Sequence, residues 1–226
     1  VSSFALQQTP AGLGLVWLEQ PTMKPLIIDF LAGKQAFRGQ QANLKDEAIA
    51  RACGLHKHKN LTLLDATAGL ARDAWVLVSL GAKVTLNERQ PMVRELLADA
   101  LQRLYTQAPE FTEQLRLAEF AELAQAPAKS FDVVYLDPMY PKGDRKQKAA
   151  VKKDMQMFQQ LVGADLDADE LLAPALRIAR QRVAVKRPQH ADFLAQRKPD
   201  HQIVSKKHRF DVYLCADGVD AARVQS

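Results

Sequence analysis

Cysteine is nearly absent from this chain: its 226 residues hold only Cys53 and Cys215. Two thiols cannot build a disulfide framework, and these two lack the paired spacing of a metal site. Each therefore reads as a small buried apolar residue in a reducing compartment, and no metal is expected. No apolar run approaches the roughly 18 residues that a membrane span requires. The opening stretch VSSFALQQTP has no basic region leading into an apolar one, so no signal peptide is expected and the cytoplasm is the default location. Glycine is missing where nucleotide folds need it. Neither G-x-G-x-x-G nor the P-loop GK[ST] occurs, which argues against a nicotinamide-dependent dehydrogenase and against a bare polyphosphate ligand. Internal repeats and low-complexity tracts are absent as well.

What is present is ordinary globular composition, with 47% apolar and 25% charged residues. Basic residues number 31 and acidic residues 26, a net charge of +5. The excess is clustered. Lys142 to Lys153 reads KGDRKQKAAVKK, with six bases and one acid, and a second group comprises Lys186, Arg187, Arg197, Lys198, Lys206, Lys207 and Arg209. One basic cluster alone is usually a solvated face. Two clusters flanking a candidate site point to a nucleic-acid backbone.

The apolar pattern divides the chain at about residue 60. Residues 1–60 read as a small appendage, with strands at 13–18 and 25–31 and a helix at 44–53 that Asn43 caps and Gly54 stops. From 61 to 226 strands and helices alternate. Strands are expected at 61–65, 83–88, 115–120, 131–137, 182–187, 202–206 and 210–215, the last two antiparallel. Helices are expected at 72–80, 91–105, 147–162 and 167–180, with a short one at 192–196. That order is an α/β fold with a mostly parallel sheet.

Ligands of open parallel sheets bind at the carboxyl ends of the strands. There the chain places Asp65, Glu88, Glu119, Asp137 and Lys186. Four acids favour a ligand carrying hydroxyls and positive charge. The first turn, DATAGLARD from Asp65, is small and tight around Ala66, Thr67, Ala68 and Gly69. Glu88, 23 residues after Asp65, is placed to take both hydroxyls of a ribose. An adenosine-containing cation without pyrophosphate fits, and S-adenosylmethionine is such a molecule.

The strand FDVVYLD runs into Asp137, Pro138, Met139 and Tyr140. An exocyclic amine on a nucleobase is a poor nucleophile because its lone pair is delocalised into the ring. A carboxylate and a backbone carbonyl that accept its two N–H bonds favour a pyramidal nitrogen, and an aromatic ring clamps the base by stacking. Asp137, the Pro138 carbonyl and Tyr140 supply those parts, and Asp137 would stabilise the charge that builds on nitrogen.

Taken together, LDATAGLARDAW, NER at 87–89, VVYLDPMYP, KQKAAVKKDMQMFQQLVGADLDADELL, VAVKRP and KKHRFDVY closely resemble the RsmJ family of bacterial ribosomal RNA methyltransferases. The likeness runs from about residue 61 to 215. It implies a class I S-adenosylmethionine-dependent methyltransferase fold, Rossmann-like with an antiparallel last strand, plus the small N-terminal α+β appendage. It also implies methyl transfer to the exocyclic N2 of a guanine in small-subunit (16S) rRNA, with the rRNA or the small ribosomal subunit as partner. Carried over residue by residue, the cofactor contacts are Arg72 and Asp73, Glu88 and Arg89, Glu119 and Phe120, and Asp137, joining Asp65, Ala66 and Gly69 of the first turn. RNA phosphates would fall to Lys142, Arg145, Lys146, Lys148, Lys152 and Lys153, with Lys186, Arg187, His208 and Arg209 on the same side. The chain departs from the family in three places. Ala71 stands where the family has a second glycine, harmless if its φ is negative. Glu119 and Phe120 replace two small polar residues. FRGQQAN replaces a glycine-rich basic stretch ahead of residue 44.

Rival readings are an adenine-N6 methyltransferase acting on DNA or another RNA, for which a target-recognition region is lacking, and a catalytically inert RNA-binding module.

Overall fold

The computed structural model describes residues 3–140, 153–206 and 208–215. Its centre is a seven-stranded sheet. Strands β3 (Thr62–Asp65), β4 (Lys83–Leu86), β5 (Leu115–Leu117), β6 (Phe131–Leu136) and β7 (Ala179–Pro188) run parallel, and β9 (His208–Leu214) lies antiparallel between β7 and β8 (His201–Val204). The order is β5-β4-β3-β6-β7-β9-β8. The chain therefore reverses direction across the sheet at β3 and β6, and ligands of such sheets bind at this switch point.

Both faces of the sheet are covered, so its strands read as continuous apolar runs. Strand alternation sends Leu63, Val133, Tyr135, Ala184 and Val212 into one core. Their neighbours Leu64, Val134, Val183, Val185 and Tyr213 enter the other. Helices α3 (Arg72–Ser79) and α4 (Pro91–Gln107) cover the first face. In α4 the buried residues Val93, Leu96, Leu97, Ala100, Leu101 and Leu104 form one stripe, Pro91 opens the helix, and the Gln90 side chain accepts from the Met92 and Val93 N–H groups. Helix α6 (Leu172–Ile178) covers the second face with Leu172, Ala175 and Ile178. Helix α5 (Lys153–Val162) buries Met157 and Phe158 in the first core.

The first 60 residues differ from expectation in detail. Phe4–Thr9 forms a strand, β1, which pairs antiparallel with β2 (Gly12–Trp17). The run at 25–31 is not a strand. Leu26, Ile28 and Phe30 are buried in alternation, but only Leu26 makes a bridge, to Leu15. The segment is extended because it packs, with Phe30 against Trp75 at 5.1 Å, rather than because it pairs. Helix α1 (Gly33–Gln41) occupies a stretch whose polar composition gives little helical signal. It docks on α3 through Gly39, where a Cβ would lie 2.6 Å from Ser79 Oγ and Trp75 Nε1. Helix α2 spans Ala48–Cys53, shorter than the expected 44–53, and stops at Gly54 with φ 83°. Asn43 caps the turn ahead of it, accepting from the Lys45 and Asp46 N–H groups. This N-terminal unit shares its core with the sheet: Leu15, Trp17, Ile28 and Phe30 lie in one cluster with Leu63 and Val84.

Candidate active site

A cavity of about 540 Å³ opens at the carboxyl ends of β3, β4, β6 and β7, within the usual range for a small-molecule site. Among the described residues eight carboxylates line it against four cations, Arg38, Arg72, Arg89 and Lys186. The walls thus favour a ligand with positive charge.

The first turn is held from two sides. Glu88 follows β4, and its Oε2 accepts the Gly69 N–H at 2.9 Å while Oε1 accepts the Gln90 N–H at 2.8 Å. Both oxygens are thereby oriented, with lone pairs left for the cavity that Glu88 lines. Burial raises its pKa. Asp65, at the end of β3, accepts the Thr67 N–H at 3.2 Å, and burial together with the Asp73 charge raises its pKa well above the usual carboxylate range. Gly69 turns the chain at φ 51°, and a Cβ there would stand 3.0 Å from the Phe158 ring. Ala71 also lies in the left-handed region, at φ 54°, so the negative φ that would have made it a harmless replacement for glycine is not what the turn adopts. Its fully buried methyl offsets part of the backbone cost.

At the β6–β7 end, four side chains form a chain of charge. Lys186 Nζ donates to Asp73 Oδ2 at 2.8 Å and to Asp137 Oδ2 at 2.9 Å. Asp73 also accepts from the Tyr135 hydroxyl at 2.7 Å and from Arg38 at 3.0 Å. Burial opposes its charge, but Lys186 and Arg38 hold its pKa at about 2. Asp137 lacks those extra donors. Burial and the neighbouring Asp73 push it up to about 6 against the pull of Lys186. The backbone N–H of Asp137 donates to Thr67 Oγ1 at 2.7 Å, tying the acid to the first turn. Its Oδ2 is pinned, and its Oδ1 has no hydrogen-bond partner among the described residues. The side chain is 37% exposed towards the cavity.

Asp165 links the two ends of the site. It accepts from Arg89 at 2.6 Å on Oδ1 and from the Met139 N–H at 2.6 Å on Oδ2, and its own N–H donates to the Met139 carbonyl at 2.7 Å. Arg89 reaches Asp167 as well, at 2.6 Å.

Of the residues that the sequence reading assigned to the cofactor, Asp65, Ala66, Gly69, Arg72, Asp73, Glu88, Arg89 and Asp137 line this one cavity. Glu119 and Phe120 do not line it. Glu119 is exposed, and the wall there is formed by Ala121 to Ala124, just beyond the pair. Three of the basic residues assigned to RNA are committed elsewhere. Lys186 is the bridge just described. Arg187 is buried, with its guanidinium 4.0 Å over the Tyr140 ring and a bond to the Asp192 carbonyl. Arg209 is buried against Asp211 at 2.8 Å and donates to the Gln189 and Ala191 carbonyls, both at 2.9 Å. Lys153 is exposed at the start of α5. Lys142, Arg145, Lys146, Lys148 and Lys152 lie outside the described residues. Tyr140 follows Asp137 closely, but it does not line the cavity, and Arg187 covers one face of its ring.

Sequence reasoning missed Arg38, Asn87, Tyr135 and Asp165. Tyr135 was findable, since it shares a strand face with Asp137 two residues on. Asp165 and Arg38 come from distant segments with no local signal. Asn87 Oδ1 is buried in the cavity wall without a hydrogen-bond partner among the described residues, an acceptor suited to a ligand donor.

Sheet order and site together define a class I methyltransferase that uses S-adenosylmethionine, and the comparisons agree. Residues 1–215 match the family model described as "Putative SAM-dependent methyltransferase". The chain is 51% identical to ribosomal RNA small subunit methyltransferase J of Idiomarina loihiensis, over 93% of this chain and 82% of that protein. It is 47% identical to the protein of the same name from Haemophilus influenzae (strain PittGG), over 95% and 85%. A crystal structure of a SAM-dependent methyltransferase from Neisseria gonorrhoeae aligns with a TM-score of 0.69 at 34% identity, covering 93% of this chain and 82% of that one. The chain belongs to the ribosomal RNA small subunit methyltransferase J family.

The residues present fit S-adenosylmethionine. The sulfonium and ammonium suit the acidic walls, the oriented Glu88 carboxylate suits two ribose hydroxyls, and Asn87 Oδ1 offers an unmatched acceptor. Among the described residues no group of side chains could hold a metal ion, and no helix is long and apolar enough to cross a membrane.

Proposed function

We propose that the protein methylates the exocyclic N2 of a guanine in small-subunit ribosomal RNA, working in the cytoplasm on the rRNA or on the small ribosomal subunit. The observation that carries this reading is the asymmetry of Asp137: one carboxylate oxygen is pinned to Lys186, and the other has no hydrogen-bond partner among the described residues, on a side chain that lines the cavity. The free oxygen accepts one N–H of the guanine amine and the Pro138 carbonyl accepts the second. The amine nitrogen is thereby held pyramidal, with its lone pair aimed at the cofactor. Bound S-adenosylmethionine supplies an electrophilic methyl group on sulfur. As the C–N bond forms, the sulfur–methyl bond breaks with S-adenosylhomocysteine as leaving group, and the positive charge passes from sulfur to the amine, where the Asp137 carboxylate stabilises it. The methylated ammonium then passes its extra proton to solvent water, so no strong base is required. Tyr140, beside the cavity and with Arg187 over one face of its ring, stacks on the base with the other. Glu88, Asn87 and the Gly69 turn hold the donor. Much of the rate comes from fixing donor and acceptor in line.

Incubating the protein with methyl-labelled S-adenosylmethionine and unmodified small subunits, then digesting the RNA for mass spectrometry, tests the reading. N2-methylguanosine is the expected product, and label on adenine would refute the assignment. Asp137→Ala removes the acceptor carboxylate and should lower kcat at saturating cofactor by at least about 100-fold.

A further inference from the structure

We propose that Lys186 is a positioning residue for methyl transfer, which keeps the Asp137 carboxylate ionised and aimed at the acceptor amine rather than contacting RNA phosphate. This rests on the reading of Asp137 given above. The argument starts from crowding. Asp65, Asp73 and Asp137 approach one another at the carboxyl ends of β3 and β6 and the start of α3, and each charge disfavours the others. Two carboxylates this close do not both ionise without compensation. Among the described residues Asp73 has three donors: Arg38 on one oxygen, Tyr135 and Lys186 on the other. Asp137 has Lys186 alone on its side chain among the described residues. Among the described residues, the other charged or titratable groups that act most on Asp137 or feel it are Arg38, Asp73, Asp65, Tyr135 and Tyr140; of these Arg38 is the cation, bonded to the far oxygen of Asp73. Removing the Lys186 charge therefore falls mainly on Asp137. A protonated Asp137 would present a hydroxyl that can no longer stabilise a growing positive charge through a full carboxylate.

Strand geometry supports the assignment. Lys186 and Arg187 are neighbours on β7, so they point to opposite faces of the sheet. Lys186 turns towards the cavity and Arg187 towards Tyr140. With its ammonium held by two carboxylates, Lys186 stays protonated throughout the working pH range, so it is not the base that takes the amine proton.

The test compares wild type with Lys186→Met and Lys186→Arg by the pH dependence of kcat/KM on unmodified small subunits, from pH 5 to 9. Wild type should lose activity below about pH 6, following Asp137. Lys186→Met should move that acidic limb up by about one pH unit or more and lower the plateau by about 10- to 100-fold, with cofactor affinity and RNA affinity within about three-fold of wild type. Lys186→Arg should keep the limb near its original position. Loss of RNA affinity with an unmoved limb would overturn the proposal in favour of a phosphate contact. A uniform fall in kcat at all pH values would overturn it as well. A carboxyl carbon NMR titration of Asp137 in the substrate-free protein reads the same quantity without RNA. It distinguishes a wrong role for Lys186, where the Asp137 titration is unchanged by Lys186→Met, from a wrong acceptor base, where it still shifts.

Discussion

Asp165 offers the clearest measurement of how the cofactor and acceptor ends of the site are joined. Replacing it with alanine removes two side-chain contacts, to Arg89 and to the Met139 N–H, each at 2.6 Å. The Arg89 contact is worth little, because that guanidinium is 43% exposed and keeps Asp167 as a partner. The Met139 contact is different. The Asp165 side chain is only 11% exposed, and a backbone N–H bonded to a charged acceptor contributes about 1.5–3 kcal/mol. Asp165→Ala should therefore cost about 2–3 kcal/mol. Asp165→Asn keeps an oxygen for the Met139 N–H and loses only the charge, which should cost about 1 kcal/mol. For a chain of this size that corresponds to a fall in Tm of roughly 5–10 °C for alanine and roughly 2–4 °C for asparagine. Differential scanning calorimetry of the cofactor-free protein checks both. The two variants must separate in that order. Equal losses would show that the ion pair with Arg89 dominates, and an alanine variant as stable as wild type would show that the loop is not anchored through this carboxylate at all.

Two further outcomes follow from the same bookkeeping of contacts. Burial and Asp73 raise the pKa of Asp137 from 3.8 to about 6; a carboxylate raised on folding stabilises the folded state below its unfolded pKa and loses that contribution as pH rises through the folded one. Asp137→Asn should thus raise the Tm of the cofactor-free protein at pH 7.5, with the gain shrinking towards zero by about pH 4; a gain independent of pH, read by scanning fluorimetry, would contradict the shift. Gly12, in the β1–β2 turn, has φ 130°, and a Cβ there would meet Arg103 Nε at 2.5 Å. Gly12→Ala should cost about 2–3 kcal/mol in urea unfolding, because Arg103 is tethered to Asp99 at 2.8 Å and to the Ile28 carbonyl and cannot simply swing away.

The sheet was legible in the sequence because its strands are buried on both faces and stand out as apolar runs. FDVVYL and RVAVKR are of this kind, and both are central strands. The N-terminal unit was less legible for opposite reasons. Residues 25–31 have strand composition but gain their burial by packing on Trp75, while α1 has little apolar signal and is held by the close approach at Gly39 and by bonds from Gln35 and Arg38 to Ala71 and Asp73. Composition reports burial, and burial does not require a ladder. Strand-end acids were legible because the topology of an open sheet says where its ligand lies. Arg38 and Asp165 were not, because each reaches the site from a segment whose own pattern carries no sign of it.

The misplaced cations carry the more general lesson. Counted along the chain, Lys186, Arg187 and Arg209 look like one basic surface. In the fold they sit on β7 and β9, two interior strands of the sheet, where a charge survives only if it is paired or hydrogen-bonded. Each has found a different partner: two carboxylates for Lys186, a tyrosine ring for Arg187, Asp211 and two carbonyls for Arg209. Charge that is committed in this way cannot release counterions from RNA, and it is the number of uncommitted cations that sets the salt dependence of binding. The affinity of this protein for RNA should therefore have a salt slope unchanged by Arg209→Gln, provided the variant folds. Neutralising the exposed Lys153 should lower the slope by about one unit. A slope that fell equally for both would return Arg209 to the RNA surface and remove the argument from burial.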